Sequence, residues 1–209
     1  MLKIGQLIVA MVVKDLPDHP AYLTLIGDVG SQLAVLPKAL AAKHYKIRDG
    51  LMAAVWNMGV NYPVVSQSSM HYYRRIGELV LSPVIEEHRL SVRAVASSPD
   101  SSFVKLAVES PERGDPVSWC LPYVSEFARY TPKTICLITY MPNLEDFIAH
   151  ALNPAPRRWI KEINVYREGK TAQVIVERGS IGRFLGKHGT NVAMASKLTG
   201  YRIRVDEDA

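Results

Sequence analysis

Residues 179–200 read GSIGRFLGKHGTNVAMASKLTG, with a basic turn bounded by Gly186 and Gly189 at the centre. Glycine adopts backbone conformations that are closed to other residues, and it lets another chain approach without meeting a side chain. Both flanking segments have helical character, and the unpaired N–H groups at the start of a helix favour an anion. With Lys187 and His188 between the two glycines, the stretch predicts a small phosphate clamp.

The composition limits the class of protein. The chain has 209 residues, 48% of them apolar, and a net charge of +5, which suits one to three domains with a buried core and a polyanionic partner. Its two cysteines, Cys120 and Cys136, lie far apart among apolar residues, which argues against a disulfide framework or a zinc site. No apolar run reaches the roughly 18 residues of a membrane span, and no secretory signal pattern is present. We therefore expect a cytoplasmic protein without a metal or another cofactor.

Residues 1–67 contain short β-rich stretches that are separated by turn signals. The predicted strands are 4–13, 22–26, 33–36, 51–56 and a fifth from residue 64, with a polar break at Lys14 and a helical turn after the third. This spacing predicts a small five-stranded barrel of the OB kind, and residues 33–38 and 45–50 resemble an S1-type OB domain. OB barrels bind RNA through stacking aromatics, and the first three strands offer only Tyr22. Whether the barrel contacts RNA or serves the architecture stays open.

Two segments of similar length follow the barrel, and both show the order helix, strand, strand, helix, helix, strand. The first consists of 66–82, 90–96, 103–108, 115–120, 125–130 and 134–139, and the second of 144–152, 159–166, 172–176, 180–185, 190–198 and 201–205. This order, with a Gly-x-x-Gly loop between the paired helices, is that of a KH domain. We expect an α+β multidomain protein: an S1-type OB barrel over 1–67, then two type II KH domains over 68–142 and 143–209.

The helix predicted over 66–82 has an apolar face and is expected to end at Pro83. The face is formed by Tyr72, Tyr73, Ile76, Leu79 and Val80. Its tyrosines are candidates either for packing or for a stacking surface.

The chain resembles the S1-KH-KH portion of NusA, a family of bacterial transcription factors, over almost all of its length. The resemblance is carried by 92–96 (VRAVA), 104–108 (VKLAV), 115–117 (DPV) with Cys120, 147–155 (FIAHALNPA), 186–192 (GKHGTNV) and 198–200 (LTG). It implies a non-enzymatic protein that binds single-stranded RNA and modulates transcription elongation, termination or antitermination. RNA polymerase or other transcription factors are the further partners that it implies. The alternative is a scaffold on RNA polymerase or the ribosome with little RNA binding of its own.

The sequence departs from the family in two places. NusA proteins begin with a domain that docks on RNA polymerase, whereas this sequence begins at the barrel. In the first KH unit, the family's Gly-x-x-Gly falls on residues 122–125, which read PYVS. Proline lacks an N–H donor, and none of these four residues adopts the glycine conformations cheaply. We therefore expect RNA binding to depend on the second KH unit.

The resemblance to KH domains assigns the RNA-binding residues. The glycine loop of a KH domain clamps the backbone of about four nucleotides, while the bases lie across an apolar groove. In this sequence the residues are Gly186, Lys187, His188 and Gly189 for the clamp, Asn191 beside it, Ile181, Arg183 and Val192 for the groove, and Arg202 and Arg204 for the basic surface.

Other phosphate and catalytic sites are excluded by spacing. A Walker loop has four residues between its glycines and then Lys-Ser or Lys-Thr, whereas Gly182 and Gly186 have three between them, followed by Lys187-His188. The acidic residues 206–208 are read as a solvated tail, and the histidines are scattered. The sequence therefore predicts no enzyme activity.

Overall fold

The computed structural model describes residues 2–16, 18–27, 32–98 and 101–208. They fall into two compact units. The first unit comprises Met1–Val80 and Glu126–Pro132, and the second comprises Leu81–Ser125 and Lys133–Ala209. The domain boundaries expected from the sequence, after residues 67 and 142, stay predictions.

A closed five-stranded barrel forms most of the first unit. Its strands are β1 (Leu7–Leu16), β2 (Ala21–Ile26), β3 (Gln32–Pro37), β4 (Gly50–Asn57) and β5 (Val64–Ser66), in the order β1-β2-β3-β5-β4. Alternate residues of β1, β2 and β3 fill the interior, as period-two side-chain alternation requires, whereas β4 has three consecutive buried residues, 53–55. A 3₁₀ turn over Lys38–Leu40 lies between β3 and β4. The predicted OB-type barrel and its helical turn are thus confirmed.

The polar break predicted at Lys14 is wrong. Strand β1 continues to Leu16, and its register against β2 shifts between Val12 and Lys14. Such a bulge adds a residue to one strand without ending the pairing. Lys38 Nζ lies 2.7 Å from Asp15 Oδ1, and this ion pair allows a charged side chain within the strand.

The helix predicted over 66–82 is shorter, and Pro83 does not end it. Helix α1 runs from Met70 to Val80, and a second helix, α2 (Ser82–His88), begins immediately before the proline. Proline fits the first turn of a helix because the N–H groups there have no intrahelical acceptor.

Four of the five residues assigned to the apolar face of α1 are buried, but Leu79 is 40% exposed. Tyr72 and Tyr73 are each 1% exposed, and the Tyr72 hydroxyl donates to Tyr130 O at 2.7 Å. The two tyrosines therefore pack inside the first unit and offer no stacking surface.

The second unit contains two mixed sheets of the same topology. The first sheet has the order β6 (Ser91–Ala96), β7 (Phe103–Glu109) and β8 (Thr134–Thr139), and the second has the order β9 (Ile160–Tyr166), β10 (Thr171–Val176) and β11 (Arg202–Glu207). In each sheet, two antiparallel strands are followed by a third that runs parallel to the middle one. These sheets are those expected of two type II KH domains.

Besides α2, the described residues of this unit form four further α-helices. They are α3 (Pro116–Cys120), α4 (Leu144–Ala151), α5 (Ile181–Leu185) and α6 (Thr190–Thr199). One hydrophobic core joins the two halves of the unit, since Ala96, Ala107 and Ile138 of the first sheet cluster with buried residues of α4, α6 and the second sheet. Within the described residues, no helix is long and apolar enough to cross a membrane.

Candidate nucleic-acid interface

The glycine loop lies between α5 and α6 in the second unit, as the sequence predicts. Gly186 ends α5 with φ 71° and ψ 178°, and its N–H donates to Gly182 O at 3.0 Å. Gly189 has φ 73° and ψ 12°, and its N–H donates to Gly186 O at 3.1 Å. His188 also has a positive φ, of 51°, which is uncommon for a residue with a side chain. The backbone is thus wound tightly, while Lys187 and His188 are exposed.

Gly186 is required for two separate reasons. Its backbone angles fall in a region that is essentially reserved for glycine. A Cβ at this position would also lie 2.8 Å from Asn191 Cβ and 3.1 Å from Asn191 N. By contrast, a Cβ on Gly189 or Gly182 would meet nothing within 4 Å. The loop therefore packs closely against the start of α6 at Gly186 and is open at Gly189.

A groove of about 620 Å³ lies beside the loop, between the paired helices and strand β11. Its apolar lining comes from Leu185, Val192, Ala172, Ile203 and Val205, and its polar rim from Tyr166, Thr171, Gln173, Arg202 and Arg204. This combination of an apolar floor and a basic rim suits bases that lie flat with their phosphates at the edge.

The cations of the rim differ in how far they are neutralised. Arg204 Nε lies 2.9 Å from Asp206 Oδ1, and Gln173 Nε2 donates to the same carboxylate at 2.8 Å. These hydrogen bonds from Gln173 and Arg204 lower the pKa of Asp206. In the part of the chain that the structure describes, neither Lys187 nor Arg202 has a carboxylate at ion-pair distance. Lys187 and Arg202 are therefore the free cations of the site.

Two of the residues assigned to the groove lie beside it. Ile181 begins α5, packs against the hydrophobic core, and donates its backbone N–H to Glu207 Oε1 at 3.3 Å. The Arg183 guanidinium stands over the Trp159 ring, 5.0 Å from its centroid, and Arg158 lies 5.6 Å from the same centroid. The structure therefore brings together the four loop residues, Val192, Arg202 and Arg204, while Arg183 extends the basic surface on another side.

Asn191 requires a correction, because its side chain lies in the interior and not at the surface of the loop. It is 4% exposed, and its amide nitrogen donates to Leu152 O at 2.8 Å and to Phe184 O at 2.9 Å. Its amide oxygen accepts a hydrogen bond from Lys105 Nζ at 2.6 Å. Both N–H donors and the oxygen of the amide thus have partners inside the protein, and the buried side chain offers no contact to an RNA strand.

Some residues of the groove are not predicted from the sequence. Tyr166, at the end of β9, is 55% exposed and is the aromatic side chain of the rim. Leu185, Ile203 and Val205 complete the apolar floor. The alternation of Arg202, Ile203, Arg204 and Val205 already separates basic from apolar positions on one strand, so the sequence carried this signal. The sequence gives no such signal for Tyr166. It lies opposite Thr171 in a hairpin, and nothing in the sequence shows that this hairpin lies near the glycine loop.

The corresponding position of the first KH unit has no loop. Residues 122–125 lie within a continuous 3₁₀ segment, Leu121–Arg129, that follows α3 directly. Asp115 caps α3, because its carboxylate accepts from Val117 N at 3.2 Å and from the Ser118 hydroxyl at 2.7 Å. Burial raises the pKa of the nearby Cys120 thiol to about 11, so this cysteine is an unreactive core residue.

The aromatic residue that the first three strands of the barrel offered for stacking is also unavailable. Tyr22 is 1% exposed, its hydroxyl lies 2.8 Å from His44 Nδ1, and it accepts from Tyr45 N at 3.2 Å. Tyr22 thus holds the segment after the 3₁₀ turn against the barrel interior. Among the described residues, no group of three or more histidine, cysteine or acidic side chains is arranged to hold a metal ion.

Residues 144–209 match the family model of the NusA-like second KH domain. Three similar proteins are each named transcription termination/antitermination protein NusA. The protein of Halalkalibacterium halodurans is 27% identical over 194 residues, which cover 87% of this chain and 50% of that protein. The protein of Thermus thermophilus is 30% identical over 131 residues, covering 60% of this chain and 33% of that protein. The protein of Rickettsia prowazekii is 25% identical over 195 residues, covering 88% of this chain and 39% of that protein.

This chain thus spans between a third and a half of the length of these relatives. The family match lies on the half of the second unit that holds the glycine loop and the groove. The barrel and the two mixed sheets agree with the S1-KH-KH resemblance of the sequence. Over most of its length the chain is therefore similar to NusA proteins, and its last third matches the model of the NusA-like second KH domain.

Proposed function

We propose that this protein binds single-stranded RNA through the glycine loop and groove of its second KH domain. One observation carries the proposal: a loop wound by Gly186 and Gly189 presents a free cation, Lys187, at the side of an apolar groove that has a second free cation, Arg202, on its rim. A backbone that approaches Gly189 meets no side chain, and its phosphates meet exposed positive charge. The groove then receives the bases.

The four-nucleotide register of KH domains fits these parts. The loop contacts the phosphates, and the floor of Leu185, Val192 and Ile203 contacts the faces of the bases. Arg202 and Arg204 follow the strand along β11, and Tyr166 closes the far rim with an exposed ring on which a base can stack. The site as proposed recognises single strands, because a duplex does not present unstacked bases to a groove of this kind.

We further propose that the bound RNA is a transcript and that the protein modulates elongation, termination or antitermination. The support is the name of the three relatives, which are termination/antitermination proteins. RNA polymerase or another transcription factor is the proposed protein partner, and the cytoplasm is the proposed location. The proposed role is regulatory, as the name of the three relatives indicates.

The alternative role, a protein-binding scaffold, is favoured by the outer surface of the barrel. Val9 and Met11 point outward from β1 and are 49% and 40% exposed, and Trp56 of β4 is 48% exposed. Val9 and Met11 offer neither a charge nor a stacking ring, so this part of the surface suits a protein partner better than RNA. Binding to purified RNA polymerase, with no single-stranded RNA binding at low salt, would establish this role in place of the first.

The salt dependence of RNA affinity tests the proposed function. Each phosphate contact on a single strand contributes about 0.7 to the slope of log affinity against log salt, so three contacts give a slope of about −2. Arg202→Ala should reduce the slope by about 0.7, because it removes one cation of the rim. The measurement is fluorescence anisotropy of a labelled, unstructured RNA over a salt series.

The matched control is Lys197→Ala, which removes an exposed cation of α6 that does not line the groove. We expect this variant to keep the slope of the unaltered protein. Equal slopes for Arg202→Ala and the unaltered protein would contradict the assignment of the groove rim. A flat salt profile in the unaltered protein would contradict backbone binding altogether.

A further inference from the structure

A lysine lies in the interior of the second unit, where a charged side chain is unexpected. Lys105 is at the middle of β7 and is 0% exposed, and its neighbours Val104 and Leu106 are equally buried. A buried charge is unfavourable unless hydrogen bonds satisfy it. The groups that accept from this ammonium therefore show what the residue does.

All three acceptors belong to the half of the unit that carries the glycine loop. Lys105 Nζ donates to Asn153 O at 2.8 Å, to Asn191 Oδ1 at 2.6 Å, and to Ala151 O. An ammonium has three N–H donors, so its capacity is filled. Ala151 and Asn153 lie at the C-terminal end of α4, where carbonyl groups have no intrahelical partner and the helix dipole favours a cation. Lys105 therefore caps α4 from the neighbouring sheet.

Asn191 continues the network to the loop. Its amide donates to Leu152 O at the end of α4 and to Phe184 O near the end of α5. The ammonium and the two carbonyls fix the orientation of this amide together, because only the amide oxygen accepts from Lys105 and only the amide nitrogen donates to a carbonyl. Asn191 is also the residue against which Gly186 packs, since a Cβ on Gly186 would lie 2.8 Å from Asn191 Cβ. A single chain of contacts thus runs from Lys105 through Asn191 to the first glycine of the loop.

We infer that Lys105 is a positioning residue for RNA binding: it lies in the first KH unit, which has no glycine loop, and it sets the conformation of the glycine loop in the second. This inference rests on the proposed function, because that function supplies RNA as the ligand of the loop. Lys105 itself touches no RNA. Its effect passes through Asn191, whose buried amide oxygen loses its hydrogen-bond donor when the ammonium is removed.

A purely hydrophobic role does not account for this lysine. A methionine would fill a similar space without the unfavourable burial of a charge. Burial lowers the pKa of Lys105 to about 8, so at neutral pH the side chain is still mostly protonated and keeps its donors. What lysine adds over methionine is a set of directional contacts, and these end at the loop.

The first test uses no RNA, so that it does not depend on the proposed function. Lys105→Met is compared with Leu106→Ala, a substitution at the adjacent, equally buried position that lies outside the network. Amide hydrogen exchange is followed by NMR at Gly186 and Gly189, whose N–H groups donate within the loop. We expect Lys105→Met to raise exchange at both glycines, whereas Leu106→Ala leaves these two amides as they are in the unaltered protein. Equal exchange at the loop in the two variants would overturn the inference.

The second measurement is RNA affinity. Lys105→Met should weaken single-stranded RNA binding about tenfold, and the double variant with Asn191→Ala should bind no more weakly than the weaker single variant, since both act through one network. Additive losses would overturn the inference. If the unaltered protein binds no RNA, the proposed function fails, while the exchange data still decide whether Lys105 positions the loop.

Lys105→Gln replaces Lys105→Met if the latter does not fold, because glutamine retains two N–H donors. In that case we expect amide exchange rates at Gly186 and Gly189 that lie between the rates of the unaltered protein and those of Asn191→Ala. Exchange equal to that of the unaltered protein, with Asn191→Ala also without effect, would overturn the inference.

Discussion

Replacing Gly186 with alanine should lower the free energy of unfolding by about 3 kcal/mol and abolish the loop conformation. Two effects add at this position. The backbone angles, φ 71° and ψ 178°, are essentially restricted to glycine, and the new methyl group would lie 2.8 Å from Asn191 Cβ. Asn191 cannot move away freely, because its side chain is held by hydrogen bonds to Lys105 and to two backbone carbonyls. The measurement is urea unfolding followed by intrinsic fluorescence.

The same loop supplies matched controls for this substitution. Gly189→Ala carries the strain of a left-handed backbone and no clash, and should lower the free energy of unfolding by about 1 kcal/mol. Gly182→Ala has a helical environment and open space, and should change stability by less than about 0.5 kcal/mol or increase it slightly. If Gly186→Ala were as stable as Gly182→Ala, the conformation described for the loop would be wrong.

Replacing Lys187 and His188 with aspartate should weaken single-stranded RNA binding at least about 30-fold at low salt. Reversing one charge close to a phosphate changes the interaction by roughly 2 kcal/mol even in water, and the backbone of the loop is then lined with negative charge. Both side chains are exposed, so the fold should be retained. The measurement is the dissociation constant of a labelled RNA, alongside thermal unfolding of the same samples.

Lys197→Asp is the control for the Lys187 change in this double variant, because it replaces lysine with aspartate at an exposed residue of α6 that does not line the groove. It should weaken binding by no more than the small effect of net charge. If the double variant is folded and binds RNA with unchanged affinity, the loop is not a phosphate clamp.

The sequence predicts the order of the elements well because their signals are local. Hydrophobic alternation marks the strands, and glycine, proline and asparagine mark the turns between them. Thr134–Thr139 was predicted with the bounds that the structure shows. The prediction that Pro83 ends the first helix is wrong because proline disfavours the interior of a helix but fits its first turn. The sequence does not show which of these positions a proline occupies.

The site was only partly predictable, because part of it depends on distant contacts. The spacing of Gly186 and Gly189 identifies the loop, since the signal lies in four consecutive residues. The sequence predicts Asn191 as an RNA-binding residue and does not show its burial, because its partner Lys105 is 86 residues away in a stretch that reads as an ordinary strand. Whether a lysine within an apolar strand is buried depends on carbonyl groups that only the tertiary structure brings to it.

The most direct test of the central claim, that RNA binds at the loop and groove of the second KH domain, is photo-crosslinking of a 4-thiouridine RNA. Crosslinked peptides would be identified by mass spectrometry, without any substitution in the protein. We predict crosslinks within residues 181–192 and at the rim residues Tyr166 and Arg202. Crosslinks confined to the barrel, within residues 2–66, would contradict the claim.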